Sequence, residues 1–216
     1  MDEYMMAQLG VWRFNDIHNH ELLAVAYAYN QQQPRFFSKY FNYKMKSNYD
    51  VVIGKATGAS AAAPTFFDPQ VIENGYGINE LLIDGGVIAN NPGWYAYQMA
   101  DKFYKKDNIR MISLGTGEKP FEQYEASTFT KTKMLGALDE LMMNIETYTS
   151  DKSVEIHIKD PKQNYVRVNI PSTLPMDQIG ETNVNNLLKA GEDMYEKAVK
   201  AGIKTLLEKM MEDRYA

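Results

Sequence analysis

One carboxylate in this chain stands where a carboxylate can do chemistry. In Leu81-Leu82-Ile83-Asp84-Gly85-Gly86-Val87-Ile88-Ala89-Asn90-Asn91-Pro92 an apolar run ends on a single acid. Two glycines follow, and an asparagine–proline pair opens the next helix. Open α/β sheets bind ligands at the carboxyl ends of their strands, and this pattern places Asp84 at such an edge. The paired glycines, Gly85 and Gly86, let the backbone turn sharply and come close to a substrate. The same residues also read as ordinary Asp-Gly turn chemistry between a strand and a helix.

Three other stretches invite chemistry and support it less well. Asp16-Ile17-His18-Asn19-His20-Glu21 contains a His-x-His pair, which on a strand puts both imidazoles on one side and can start a metal site. A metallohydrolase of the amidohydrolase kind needs more ligands than that. His157 is the only other histidine, so a polar loop ahead of a strand is the plainer reading. Ser60, in Gly58-Ala59-Ser60-Ala61-Ala62, is the nearest mimic of a nucleophile elbow. An elbow needs a strand ending at the serine and a long helix after it. Ile53 lies seven residues earlier and Pro64 four residues later, which disfavours Ser60 as a nucleophile. Gly115-Thr116-Gly117 matches no phosphate-binding fingerprint and reads as a turn.

The elements that must position Asp84 follow from the pattern of apolar residues. Leu22 to Tyr29 reads as a strand, broken by Gln31-Gln32-Gln33-Pro34. Arg35 to Phe41 reads as a second strand, near an edge because of its charges. Asp50 to Ala63 is open between strand, favoured by Val51-Val52-Ile53, and helix, favoured by its alanines with Asp50 as N-cap. Pro92 suits the first position of a helix with Tyr95, Ala96, Met99, Ala100 and Phe103 on one face. Ile109 to Leu114 is a strand, and Met134, Leu135, Leu138, Leu141, Met142, Ile145 and Tyr148 repeat as an amphipathic helix. Tyr165 to Ile170 alternates as a strand, and one last helix carries an apolar stripe from Leu187 to Met211. Strands alternating with helices predict an α/β fold with a largely parallel sheet and no domain boundary.

Composition bounds the function. At 216 residues, with 44% hydrophobic and 24% charged residues, the chain can bury a sizeable core. A formal charge of −5 with no dense basic cluster disfavours nucleic-acid binding. The absence of cysteine excludes thiol catalysis, disulfides and cysteine-held zinc. The acidic start has no signal-peptide order and no run reaches membrane-span length, so the cytoplasm is the favoured compartment. The thirteen methionines, paired at 5–6, 142–143 and 210–211, are expected mostly in the core.

Four motifs in one order resemble the patatin-like phospholipases, which are serine–aspartate lipid acyl hydrolases. Leu81 to Pro92 resembles the Asp-Gly-Gly/Ala motif of that family, and Ala56-Thr57-Gly58-Ala59-Ser60-Ala61-Ala62-Ala63-Pro64-Thr65-Phe66-Phe67 the small-residue stretch before it. Met111 to Gly117 resembles the strand and glycine turn that follow. Tyr165-Val166-Arg167-Val168 and Asn186 to Gly191 resemble the closing strand and C-terminal helix. The family's glycine-rich oxyanion loop and Gly-x-Ser-x-Gly elbow are not found in these residues, so the resemblance is to the C-terminal portion.

That resemblance implies a patatin-like three-layer α/β fold, a single partial domain over 1–216 with its N-terminal strands missing. It turns 50–63 to helix, ended by Pro64, with Gly54, Gly58, Ala59 and Ala62 allowing close packing on the sheet. It gives Asp84 the role of catalytic base, positioned by Gly85 and Gly86, with no histidine, metal or cofactor involved. The base needs a pKa raised toward working pH, most simply by burial. The substrate implied is a phospholipid or galactolipid, cleaved through an acyl-serine with transient contact at a membrane surface. With no nucleophile in an elbow, the chain alone is expected to be inactive. Unpaired edges left by missing strands would need a partner chain or an N-terminal segment to cover them. The alternatives are a non-catalytic patatin-like pseudoenzyme or lipid- or protein-binding module and, behind it, the His-x-His metallohydrolase.

Overall fold

Connection length decides strand direction in this protein. The computed structural model describes residues 7–44, 50–104, 108–117, 130, 132, 138–170, 178 and 180–215. They fall into two compact units, one drawn from residues 1–99 and 141–147, the other from 100–140 and 148–216. The first unit contains β1 (Ala24–Ala28), β2 (Gln33–Phe37), α1 (Lys39–Lys44), α2 (Ile53–Ser60), β3 (Gln70–Glu73), β4 (Asn79–Asp84), the single turn α3 (Gly86–Ala89) and the start of α4 (Gly93–Tyr104). Its four strands pair in the order β2-β1-β4-β3, and every pairing is antiparallel. The links at 29–32 and 74–78 are turns, too short for the crossover that parallel strands require. Parallel pairing occurs in the second unit, where β5 (Met111–Leu114) lies beside β6 (Tyr165–Val168) with α5 (Leu138–His157) between them in sequence. The class is mixed α/β as expected; the four-stranded sheet differs from the expected direction, being two hairpins joined through an antiparallel β1–β4 pair.

Register places the chemistry on one face. Ala26 stands opposite both Arg35 and Asp84, and Ala28 opposite Leu82. Residues directly opposite in a ladder share a face, and alternate residues of a strand do too. Arg35, Ala26, Ala28, Glu80, Leu82 and Asp84 therefore line one side of the sheet. Helix α2 packs there, and Phe14, Phe37, Ala26, Ala28, Leu82, Ile53, Ala56 and Ala59 form a buried cluster. Gly54, Gly58, Ala59 and Ala62 are buried, as close packing demands. The N-cap of α2 is Val52 and makes no side-chain cap bond; Asp50 instead accepts the Asn15 N–H at 3.3 Å.

The second strand is shorter than its apolar run. It ends at Phe37, and the Lys39–Lys44 helix folds back so that Phe36 stacks on Phe41 at 5.0 Å. β2 is an edge strand, which is why Pro34, lacking an N–H, is accommodated within it. β3 was not anticipated from the sequence. It is only four residues long, and its hairpin is organised by Asn74 Oδ1, which accepts the N–H groups of Tyr76 at 2.9 Å and Ile78 at 3.0 Å.

In the second unit, α6 (Pro161–Asn164), α7 (Glu181–Lys200) and α8 (Ile203–Tyr215) accompany β5 and β6. Val166, Val168, Ala198 and Leu206 form its core. A polar clasp sits beside it. Tyr165 donates to Asp151 Oδ1 at 2.6 Å, and Arg167 Nη1 donates to Ser113 Oγ at 2.6 Å. Burial first, then the Asp151 carboxylate, pushes the Tyr165 hydroxyl well above the usual phenol range.

The last expected helix is two helices. Gly202, at φ +93°, ends α7 in the left-handed conformation that glycine adopts without strain. Along the expected stripe Ala198 and Leu206 are buried, but Leu188, Tyr195, Leu207 and Met211 are exposed. The amphipathic helix expected at 134–148 is α5, which continues to His157; Met134 and Leu135 lie outside the described residues, as does the side chain of Phe103. Met142, Met143, Met210 and Met211 are exposed, against the core placement expected for the pairs, while Met5 and Met6 lie outside the described residues. Among the described residues, no helix is long and apolar enough to cross a membrane.

Candidate active site

Asp84 is the last residue of β4, and the tail of α2 grips the turn that follows it. The Asp84 N–H donates to the Ala62 carbonyl at 3.0 Å, and the Gly85 N–H donates to the Ser60 carbonyl at 3.2 Å. The glycines do different work. A Cβ at Gly85 would sit 2.1 Å from the Val25 carbonyl oxygen, although φ there is an ordinary −68°. Close approach of backbone, not an unusual dihedral, requires glycine. A Cβ at Gly86 would meet the Asp84 carboxylate at 3.1 Å, and the Gly86 N–H donates to Asp84 Oδ1 at 2.6 Å. Gly85→Ala is therefore expected to cost about 1–3 kcal/mol or more, as overpacking against backbone does. Gly86→Ala should keep the fold and disturb the carboxylate. Urea melts of the two variants check the contrast.

Asp84 is half-buried, and its pKa is raised above the ordinary 3.8. Desolvation causes the rise; the Gly86 N–H opposes it by stabilising the anion. The carboxylate lines a cavity of about 440 Å³, walled by apolar side chains including Phe14, Leu22, Val25 and Ile53. Such a volume suits a small-molecule site. Asp84 is the only titratable side chain on that wall, among the described residues. A lone carboxylate, partly desolvated and fixed by one N–H, is equipped to take up and return a proton.

Thr57, Ser60 and Asn90 are the other polar side chains of the wall. Ser60 is the final residue of α2, so its helix precedes it instead of following it, the reverse of an elbow. Thr57 Oγ1 donates back to the Ile53 carbonyl at 2.8 Å.

A further set of residues holds the turn, and of these the sequence singled out only Asn91, as part of the helix start. Asn90 Nδ2 donates to Thr147 Oγ1 at 3.0 Å, and the Asn91 N–H donates to Glu146 Oε2 at 2.9 Å. The Gly93 N–H donates to Asn91 Oδ1 at 3.1 Å, so Asn91 caps α4. Asn-Asn-Pro before an apolar face is a readable cap signal, but nothing local marks Thr147 or Glu146 as its anchors.

The His-x-His pair does not assemble. His18 and His20 are exposed coil ahead of β1, and His157 sits on α5 with Nδ1 2.8 Å from the Ser153 carbonyl oxygen. Among the described residues no group of three or more His, Asp or Glu side chains is placed to hold a metal.

Fold and site together define a mixed α/β protein with a strand-terminal Asp-Gly-Gly carboxylate facing an apolar cavity. Comparison with known proteins carries this further. The chain is 28% identical over 201 residues to patatin-like protein 2 of rice (Oryza sativa subsp. indica), covering 77% of this chain and 49% of the relative. It is 26% identical over 207 residues to patatin-17 of Solanum cardiophyllum, covering 83% and 53%. It is 35% identical over 115 residues to the cUMP-AMP-activated phospholipase of Escherichia coli, covering 52% and 36%. No family model matches the chain. The chain is similar to patatin-like proteins and patatin-like phospholipases, at 26–35% identity over 52–83% of its length. It spans about half the length of the curated plant relatives it matches.

Proposed function

We propose that the protein is a lipid acyl hydrolase of phospholipase A type, in which Asp84 is the base half of a serine–aspartate dyad. The observation that carries this reading is the placement of a half-buried carboxylate, Asp84, on the wall of an apolar cavity, where desolvation favours its protonated form. The serine Oγ–H proton passes to the Asp84 carboxylate as Oγ bonds to the ester carbonyl carbon. The leaving lysolipid alkoxide takes that proton when its bond to carbon breaks. Water then hydrolyses the acyl-serine, with Asp84 again accepting and returning one proton. These residues contain no Gly-x-Ser-x-Gly, and Ser60 lacks the geometry of an elbow. The 216 residues accordingly supply the base, as part of one patatin-like domain, and are silent by themselves. The substrate is a phospholipid or galactolipid, met at a membrane surface.

Two measurements test this. A fluorophosphonate probe applied to the purified 216-residue chain is expected to label no serine; a labelled serine overturns its silence. Expression of the gene from its natural locus, with whatever precedes Met1, is expected to give a product that releases fatty acid from phosphatidylcholine vesicles. No release, with or without added cUMP-AMP (the activator in the name of one relative), favours the non-catalytic, lipid-binding reading.

A further inference from the structure

Asn74-Gly75 is the only Asn-Gly pair in the chain, and it lies in the turn that joins β3 to β4. Asparagine is a chemically labile residue. A glycine after it puts no side chain in the way when its nitrogen approaches the asparagine Cγ. Here Asn74 is 9% exposed, whereas Gly75 beside it is open to solvent.

Every polar group of Asn74 is engaged. Its N–H donates to the Ile78 carbonyl at 2.8 Å, and its carbonyl accepts the Gly77 N–H at 3.0 Å. Oδ1 accepts the Tyr76 and Ile78 N–H groups, while Nδ2 donates to Glu80 Oε1 at 2.9 Å. Attack on Cγ needs the side chain to swing toward the Gly75 nitrogen, and loss of Nδ2 needs the bond to Glu80 broken. The closed hairpin therefore holds the reaction back. The position also demands an amide. A carboxylate could accept the same two N–H groups, but it would set an oxygen where Nδ2 now stands, facing Glu80 Oε1. Glu80 is 1% exposed, and Arg35 already gives it Nε and Nη2. Two carboxylates that close, with little solvent between them, repel.

We propose that Asn74-Gly75 is a self-modification site guarded by the fold: it deamidates when the β3–β4 hairpin opens, and the product no longer seats against the Arg35–Glu80 pair. The Gly75 nitrogen bonds to Asn74 Cγ, the Cγ–Nδ2 bond breaks, and ammonia leaves with the proton that Gly75 gave up. Water then adds to either carbonyl of the succinimide ring and leaves an aspartyl or an isoaspartyl link. The first sets a carboxylate against Glu80; the second also lengthens the backbone inside the turn. β3 is a four-residue strand at the sheet's edge, paired on one side only, so its hairpin opens more readily than a strand held on both sides. Each opening exposes the pair to a change that refolding does not reverse.

The experiment holds the 216-residue chain for matched times in native buffer and in guanidinium chloride, then maps its peptides by mass. Amide-to-acid exchange at residue 74 is expected to run about tenfold or more slower in the folded protein, because it waits on opening. Equal rates overturn the proposal. The modified fraction gains a negative charge, so anion exchange separates it. Returned to native buffer, it should melt at lower denaturant than the unmodified fraction, and Asn74→Asp should reproduce that lower midpoint. A modified fraction that melts with the unmodified one overturns the proposal. Gly75 has no positive φ, so Gly75→Ala fits the same turn. That variant should melt with the wild type and slow the exchange in denaturant; an unslowed exchange removes ring closure as the route and the proposal with it. Should Asn74→Asp fail to accumulate, the mapped fraction and Gly75→Ala still decide.

Discussion

Asp84→Asn is expected to lower by about 10²–10⁴-fold whatever fatty-acid release the locus-expressed product shows, the range for losing a positioned general base, and to raise the melting temperature of the 216-residue chain at neutral pH. The two effects have one origin. Desolvation raises the Asp84 pKa above 3.8, so the folded protein holds this proton more tightly than the unfolded chain does. Below the ordinary carboxylate range both states are protonated and the group has no effect on stability. As pH rises through 3.8 toward the folded value, the unfolded chain ionises first and the native state loses ground. Above the folded pKa that loss is complete. Asparagine never ionises, and its Oδ1 can still accept the Gly86 N–H now 2.6 Å from the carboxylate. Melts of wild type and variant should therefore diverge at neutral pH and converge below the ordinary carboxylate range. A variant that is no more stable at neutral pH places Asp84 in a wetter setting than the cavity wall. Undiminished fatty-acid release removes it from the mechanism.

The strand and turn around Asp84 were legible because the signal is local. An apolar run, an acid and two glycines define a strand end in any context, and Val25 approaching Gly85 merely explains the demand for glycine. The cap at Asn91 and strand β6 were legible for the same reason, whereas the residues of helix α2 read equally as strand and only the resemblance turned them to helix. What the pattern hid depends on partners distant in sequence. β3 is a strand because Val71 and Ile72 find Leu81 and Glu80 across a hairpin, not because four residues reveal a period. Two of the sheet's three pairings take their direction from turn lengths, which an alternating strand–helix count ignores, and the third joins β1 to β4 over some fifty residues. The pairing of Asn90 with Thr147 spans 57 positions, and no spacing rule reaches that far. The apolar stripes of α5 and of α7–α8 were real, but periodicity does not say which of their residues become covered.

The least legible feature, Glu80, carries the second large expected effect. Read in sequence, it is one polar residue at the start of an apolar run. In the fold its side chain is 1% exposed, and Arg35 reaches across Ala26 and Ala28 to meet it. Nε donates to Oε2 at 2.5 Å and Nη2 to Oε1 at 2.6 Å, while Asn74 Nδ2 adds a third bond to Oε1 at 2.9 Å. Alanines at 26 and 28 leave the room for this clamp over the middle strand. Glu80→Ala takes away the carboxylate to which Nε and Nη2 of the partly buried Arg35 donate. The expected loss is about 3–5 kcal/mol, the cost of leaving one member of a buried ion pair without its partner. Domains are stable by only about 5–15 kcal/mol, so the variant should unfold at much lower urea or fail to accumulate. Arg35→Met combined with Glu80→Leu removes both charges and fills the space, and should recover most of the stability. The exposed Lys152–Glu155 pair is the control, and Glu155→Ala should not shift the midpoint measurably. If Glu80→Ala melts with the wild type, the clamp adds nothing to the sheet. If it melts early and the double variant recovers, β2 and β4 are locked in register by this pair, and Asp84, two alternations further along the same face of β4, inherits its position from it.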